Sequence, residues 1–414
     1  MTTSNLFDHN AIRSQFPVLS QMLGDNPLCY LDTAATSQKP QMVLDAMTAY
    51  YQFDNANVHR AAHQLAARAT IQYEKVRQQV QDFINSPSLQ QVIFTHGTTE
   101  SINMVAHGLM DTLSKDDIIL VDGAAHHANI VPWQALAKRV GAKVVAIPLD
   151  ANGRIDQTAY DELLLTQPKL VALAHVSNAL GTVNPINAMV AKAKAIGALT
   201  LVDGAQAVAH LAVDVQTLDC DYYVFSGHKM YGPTGIGILY GKLAALNMLT
   251  PMLTGGEMIK TVSFDGTTYG ELPNRLEAGT PAIAEVMGFG AAITFLNSLP
   301  QAQLRQHEQQ LLRYLQQQLS QLGDITLYGV DGGKESHENI GSVAFNLANE
   351  HHQDVSILLD QQGIAIRSGH HCAMPLMQSL QIKGCCRASI GLYSNKQDID
   401  RFISAMAQVK SILL

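Results

Sequence analysis

The sequence predicts an α/β fold, a mostly parallel seven-stranded sheet followed by a smaller α+β part. Three observations predict it. Seven short apolar runs recur between residues 90 and 241, most of them unbroken, as in strands buried on both faces. Helical stretches separate many of them, which calls for βαβ crossovers. Beyond "RLEAGTPA" long helices take over and strand-like runs become rare.

The strand candidates are "QVIF" ending at Phe94, "DIILVD" at Asp122, "KVVAIPL" at Leu149, "LVALAHV" at Val176, "LTLVD" at Asp203 and "DYYVF" at Phe225, with "IGILYG" next. Helices are expected over "LAARATIQYEKVRQQVQDFI", from Ile130 to Val140 and from Ile186 to Ile196. The Gln-rich "QLRQHEQQLLRYLQQQLSQL" keeps Leu304, Leu311, Leu315 and Leu319 at helical spacing, so it reads as an amphipathic surface helix. "SVAFNL", a helix from Val355 to Gln361 and a last helix to Leu414 complete the α+β part. The expected organisation is a large domain over residues 21–285 and a small one from residues 1–20 and 286–414.

Length and charge narrow the function classes. A chain of 414 residues exceeds one ordinary core, and a net charge of −8 offers no footprint for nucleic acid. No apolar run approaches the roughly 20 residues that cross a bilayer. The opening "MTTSNLFDHNAIRSQFPVL" lacks the basic and apolar blocks of a signal or transit peptide. Five irregularly spaced cysteines fit a reducing compartment, so a cytoplasmic location is expected.

Ligands of open α/β sheets gather where strands end. "THGTTESIN" follows the first strand, and Thr98 and Thr99 open a helix whose free N–H groups favour an anion. "AAHHANIVPW" follows the second, offering His126 and His127 as rings to stack on a planar ligand. "HVSNALGTVNP" follows the fourth, a polar loop containing Asn178. Asp203 ends the fifth; a buried carboxylate there needs a cation, such as the protonated nitrogen of a pyridine ring. Gln206 lies three residues on. "SGHKMYGPTG" follows the sixth, where Ser226 and His228 can donate to a phosphate and Lys229 is placed to form a Schiff base. Each alone equally suits a cap, a turn or a solvated charge. Together they match the polar features of pyridoxal phosphate.

"HHANIVPW", "DGAQ", "SGHK", "YGPTGIG", "EAGTP", "RSGHHCA" and "RAS" resemble the class V aminotransferase group, and more narrowly the second, short-loop type of cysteine desulfurase or selenocysteine lyase. The resemblance runs from Tyr30 to Tyr393. It implies the fold type I of pyridoxal-phosphate enzymes, a Schiff base at Lys229, stacking by His126 and ring contacts from Asp203, Gln206 and Asn178. It further implies phosphate contacts from Thr99, Ser226 and His228, with Thr280 reaching the neighbouring subunit's phosphate in a homodimer.

In this setting "RSGHHCAMPLM" acquires a role. Cys372 is the candidate nucleophile toward the sulfur of L-cysteine, leaving a persulfide and alanine. His370 and His371 beside it favour the thiolate or deliver a proton. Arg367 and Arg387 suit a substrate carboxylate, because guanidinium offers it two parallel hydrogen bonds. Asn178 is a further candidate substrate contact. The resemblance also implies cleavage of L-selenocysteine and a sulfur-acceptor protein of the SufE/CsdE type. Two rivals stand beside this reading. One is a zinc site using His351, His352, His370, His371 and Cys372, although adjacent ligands lack the spacing of strong zinc motifs, and no metal is expected. The other is a transaminase, epimerase or lyase on the same scaffold. Cys29 and Cys220 read as buried fillers, Cys385 and Cys386 as small helix or loop residues.

Overall fold

The computed structural model describes residues 8–60, 62–330 and 339–414. A short hairpin of β1 (Met22–Leu23) and β2 (Asn26–Pro27) precedes β3 (Cys29–Tyr30). The large sheet then takes β4 (Val92–Thr95), β5 (Ile118–Asp122), β6 (Lys143–Ile147), β7 (Leu170–Ala174), β8 (Leu199–Asp203), β9 (Tyr222–Ser226) and β10 (Gly237–Gly241). Its spatial order is β4-β10-β9-β8-β7-β5-β6. Only β10 runs antiparallel, between β4 and β9.

Every residue of β4, β7, β9 and β10 is buried, which is why these runs are apolar throughout. β6 is an edge strand, and its pattern is mixed because one side meets water. The "KVVAIPL" run ends as a strand at Ile147, two residues before the expected Leu149, where Pro148 cannot donate to a ladder.

Beyond the sheet, β11 (Ile259–Ser263) and β12 (Gly266–Tyr269) form a hairpin that stands in solvent along almost its whole length. A second, antiparallel sheet has the order β13-β14-β17-β16, from β13 (Ile325–Tyr328), β14 (Ser342–Leu347), β16 (Arg367–Gly369) and β17 (Cys385–Ser389). Between them in sequence, β15 (Ile364–Ala365) pairs in parallel with β3. Ser389 N–H then donates to Leu31 O at 2.7 Å, so residues 29–33 run between β15 and β17.

The helix Gln301–Gln321 buries Leu304, Leu311, Leu312, Leu315 and Leu319 and no glutamine, as its spacing implies. The preceding helix Ile283–Ser298 is apolar on nearly all faces and shares the large sheet's core with Ile12 and Phe16. It crosses residue 285 unbroken, and Leu304 on the next helix still packs in the same core. The amino-terminal segment touches both cores: Arg13 pairs with Asp398 on the last helix at 2.7 Å, and residues 1–7 lie outside the described set. Cys385 and Cys386 sit on strand β17, not on a helix or loop. "CCRAS" is extended because it pairs with strands on both sides.

Candidate active site

The loops at the carboxyl ends of β5, β7, β8 and β9 meet strands β16 and β17 around one cavity of about 190 Å³. Its wall holds Thr98, Thr99, His126, Asn178, Asp203, Gln206, Ser226, His228, Lys229, Arg367, His371 and Arg387. These residues lie up to 289 positions apart in sequence, and the fold alone brings them together.

The anion end is built first. Gly97 takes φ +149°, a conformation side chains rarely adopt, and its position would bring a Cβ to 3.4 Å from Ser226 Oγ. The turn it permits starts the helix Thr98–Gly108 against β9. Ser226 Oγ accepts from Thr98 N–H at 2.8 Å and shares a hydrogen bond with Thr98 Oγ1 at 2.7 Å. Hydroxyls and free helix N–H groups thus converge, as anion sites require.

At the other end Asp203 accepts from Ala205 N–H at 2.9 Å and has no cationic hydrogen-bond partner among the described residues. Burial raises its pKa, against that hydrogen bond and the charge of Lys229. Lys229 is half-buried in the cavity wall. Burial pulls its pKa down to about 8, with Arg387 and Arg367 adding to the effect and Asp203 opposing it. His126 and His228 are neutral rings, both lowered to about 4 by burial and by Lys229. His126 Nδ1 accepts from Ala128 N–H at 3.1 Å, so the cap and the cavity-facing ring are one residue. Gln206 donates to Ala34 O at 2.8 Å, which orients it beside Asp203.

Arg387 is 2% exposed. It donates to Asp32 Oδ1 at 3.0 Å and to Asn178 O at 2.6 Å. Burial lowers its pKa while Asp32 opposes the shift. Asp32 lies in the "YLDTAAT" stretch; sequence reasoning gave it no role, because a carboxylate whose partner is 355 residues away has no local signal.

Cys372 does not line the cavity, but its turn closes it. His127 N–H donates to Cys372 O at 2.7 Å and Asn178 Nδ2 to His371 O at 2.6 Å. His371, which lines the cavity, immediately precedes Cys372, so the thiol lies next to the wall that holds Lys229. His371 and Cys372 both take positive φ, 50° and 56°, which makes the turn tight. His127, His370 and Cys372 place ligand atoms within 4.8 Å of one another. Each ring, however, already accepts a backbone N–H: His127 Nε2 from Met374 at 3.1 Å and His370 Nδ1 from Cys372 at 3.0 Å. Metal-ligating rings usually donate from the nitrogen that does not bind the ion. His351 and His352 stack on each other, with ring centroids 4.4 Å apart.

Thr280 lies elsewhere, exposed on a second cavity with His59, His96 and Glu257. Within one chain it does not reach Lys229.

The class-V aminotransferase family model matches residues 29–402. Cysteine desulfurases of Yersinia pestis (strain Pestoides F) and Yersinia pseudotuberculosis (serotype O:3) are each 49% identical over 409 residues, covering 98% of this chain and 99% of theirs. The crystal structure of the Escherichia coli cysteine desulfurase CsdA superposes with a TM-score of 0.90 at 38% identity, covering 99% of this chain and all of that one. The apo cysteine desulfurase of Thermococcus onnurineus gives 0.92 at 36% identity, with both chains covered in full. This chain therefore belongs to the class-V aminotransferase family and, within it, to the cysteine desulfurases.

Proposed function

We propose that this enzyme is a pyridoxal-phosphate-dependent desulfurase that converts L-cysteine to L-alanine and leaves the sulfur on Cys372. One observation carries the reading: Lys229 and the buried Asp203 line a single cavity that the turn at His371 and Cys372 borders. The donor set fits the cofactor. Arg387 is paired with Asp32, and Lys229 and Arg367 share the cavity with one further carboxylate, Asp203, so the donors outnumber the acids and suit an anionic cofactor and substrate. When bound, pyridoxal phosphate supplies an electron sink that lowers the cost of a carbanion at an amino acid's α-carbon.

The chain's own residues do the rest. Asp203 would pair with the ring nitrogen of the bound cofactor, with His126, Gln206 and Asn178 as its other ring partners. Thr98, Thr99, Ser226 and His228 would hold its phosphate. Lys229 exchanges a proton near neutrality. Arg387, set by Asp32, and Arg367 bind the substrate carboxylate. The Cys372 thiolate attacks the substrate sulfur; an S–S bond forms as the C–S bond breaks, and the electron pair stays on carbon until a proton completes alanine.

The same machinery serves L-selenocysteine, and a sulfur-acceptor protein collects the persulfide sulfur. The functional unit is a homodimer. Thr280, exposed and remote from its own Lys229, supports a role in the neighbouring subunit's site. The chain's charge and its five irregularly spaced cysteines fit a cytoplasmic enzyme, and among the described residues no single helix is long and apolar enough to span a membrane.

Cys372→Ala is the test. It should abolish sulfide release from L-cysteine, a loss of at least two orders of magnitude, while the cofactor's absorbance band persists. Undiminished release would remove the persulfide route. Lys229→Ala should lose the borohydride-fixed cofactor peptide seen by mass spectrometry in the parent protein.

A further inference from the structure

The carbonyl oxygen of His228, the residue before Lys229, is crowded with donors. Ser37 N–H and Ser37 Oγ each lie 3.0 Å from it, Thr36 Oγ1 3.1 Å and Lys39 Nζ 3.0 Å. A carbonyl has two lone pairs, so two of the four suffice. The hydroxyls have other partners: Ser37 Oγ accepts from Tyr231 N–H at 2.7 Å, and Thr36 Oγ1 lies 3.3 Å from His228 Nδ1. Ser37 N–H and the Lys39 ammonium remain as the donors that serve His228 O without alternative acceptors on its side of the loop.

A lysine is an unfavourable group for that place. Lys39 is half-buried, and its other partner is again a backbone carbonyl, Ser37 O at 2.5 Å. Burial brings its pKa down to about 7, and among the described residues no carboxylate acts on it. A cation withdrawn from water without a counter-charge is harder to bury than a neutral donor. Nor does Lys39 line the Lys229 cavity, so it touches neither cofactor nor substrate. What it reaches is the peptide group between His228 and Lys229. That group is planar, and the His228 oxygen and the Lys229 Cα belong to one plane. Pinning the oxygen therefore fixes the point from which the Lys229 side chain departs.

We propose that Lys39 is a positioning residue, which acts through the His228–Lys229 peptide to set the Lys229 amine against the cofactor. The proposal rests on the desulfurase reading above. The donors stand 189 to 192 positions before His228, in a stretch that also serves the rest of the site. Asp32 holds Arg387 at 3.0 Å, and Ala34 O accepts from Gln206 at 2.8 Å. Residues 32–39 thus bring a substrate arginine, a ring partner and the Schiff-base lysine into one register. The charge of Lys39 has a second effect, since it helps to keep the His228 ring neutral.

The test uses the cofactor-loaded enzyme with Lys39→Met, which keeps an apolar stem without the charge, and Lys39→Arg, which keeps a charged donor. Visible circular dichroism of the cofactor band reports how the ring is held. Rapid quenching gives the rate of alanine formation in the first turnover, before sulfur has to leave Cys372. In Lys39→Met that rate at saturating L-cysteine should fall about tenfold, with the half-saturating concentration within about twofold of the parent's, because a misplaced reacting group slows chemistry more than it weakens binding. The dichroic band should weaken or shift as well, and Lys39→Arg should recover part of both. Melting temperature shows which variants fold, and Lys39→Gln serves where Met does not. Parental rate and dichroism in Lys39→Met, or equal losses in the Met and Arg variants, would leave Lys39 a purely structural part and overturn the proposal. A parent protein that carries the cofactor on Lys229 but forms no alanine from cysteine sinks the desulfurase reading instead, and the dichroic band then decides the clamp by itself.

Discussion

Arg77 is wholly buried, and everything around it is arranged to keep it charged. It donates to Glu277 at 2.6 and 3.0 Å, to Glu74 at 3.0 Å and to Val92 O at 2.8 Å, with Phe94's ring 4.4 Å from the guanidinium carbon. Burial alone would lower its pKa, but Glu277 and Glu74 outweigh that and raise it. Glu277 also accepts from Phe94 N–H at 2.7 Å, which ties the loop carrying Thr280 to β4. Removing one partner of a buried pair strands the other. Arg77→Met should cost about 3–5 kcal/mol in urea denaturation. A cost below about 1 kcal/mol would show that water reaches the pair. Strand ends pointed to Lys229 and Asp203, and the resemblance to Arg367 and Arg387; all four line the one cavity. Asp32 and Lys39 carried no such signal, since both depend on partners set by tertiary packing.

Among the elements, the large sheet's strands were the most legible. Burial on both faces writes an unbroken apolar run, and β7 and β9 carry it in full. The β11–β12 hairpin carries no such signal. Its side chains meet no core, so its sequence shows no period to detect. Yet it presents Val262 at 67% exposure and Phe264 fully to solvent. Exposed apolar groups on a projecting hairpin suit a protein–protein contact, and the proposed homodimer supplies the partner. Phe264→Asp should shift sedimentation toward the monomer at low micromolar concentration without changing far-ultraviolet circular dichroism. A dimer as tight as the parent's would place the interface elsewhere.

For the molecule as a whole, we propose two domains divided at the bend after Ser298, with residues 29–33 belonging to the second sheet although they lie early in the chain. The two parts are tied by His210, after β8, and Glu308 on the helix Gln301–Gln321, 2.8 Å apart. Burial lowers the His210 pKa, but attraction and hydrogen bonding to Glu308 prevail and raise it above the usual value. A raised histidine pKa stabilises the fold fully below the unfolded value of about 6.5, and that contribution is lost as pH rises through the folded value. His210→Gln should therefore lower the melting temperature more at pH 6 than at pH 9. An equal loss at both would mean the pair is not charged. The helix Ile283–Ser298 is apolar on nearly every face, so its sequence alone does not say which core it serves.

The parallel pairing of β3 with β15 has a consequence for biosynthesis. Cys29 N–H donates to Gly363 O and Leu31 N–H to Ala365 O, both at 2.8 Å. A nascent chain emerging from the ribosome therefore carries this early strand unpaired until nearly nine-tenths of the protein has been made. Until then, buried Cys29 and Leu31 have no permanent shelter. The turn at Cys372 follows only a few residues after that closing segment, so the proposed nucleophile is among the last groups to be framed.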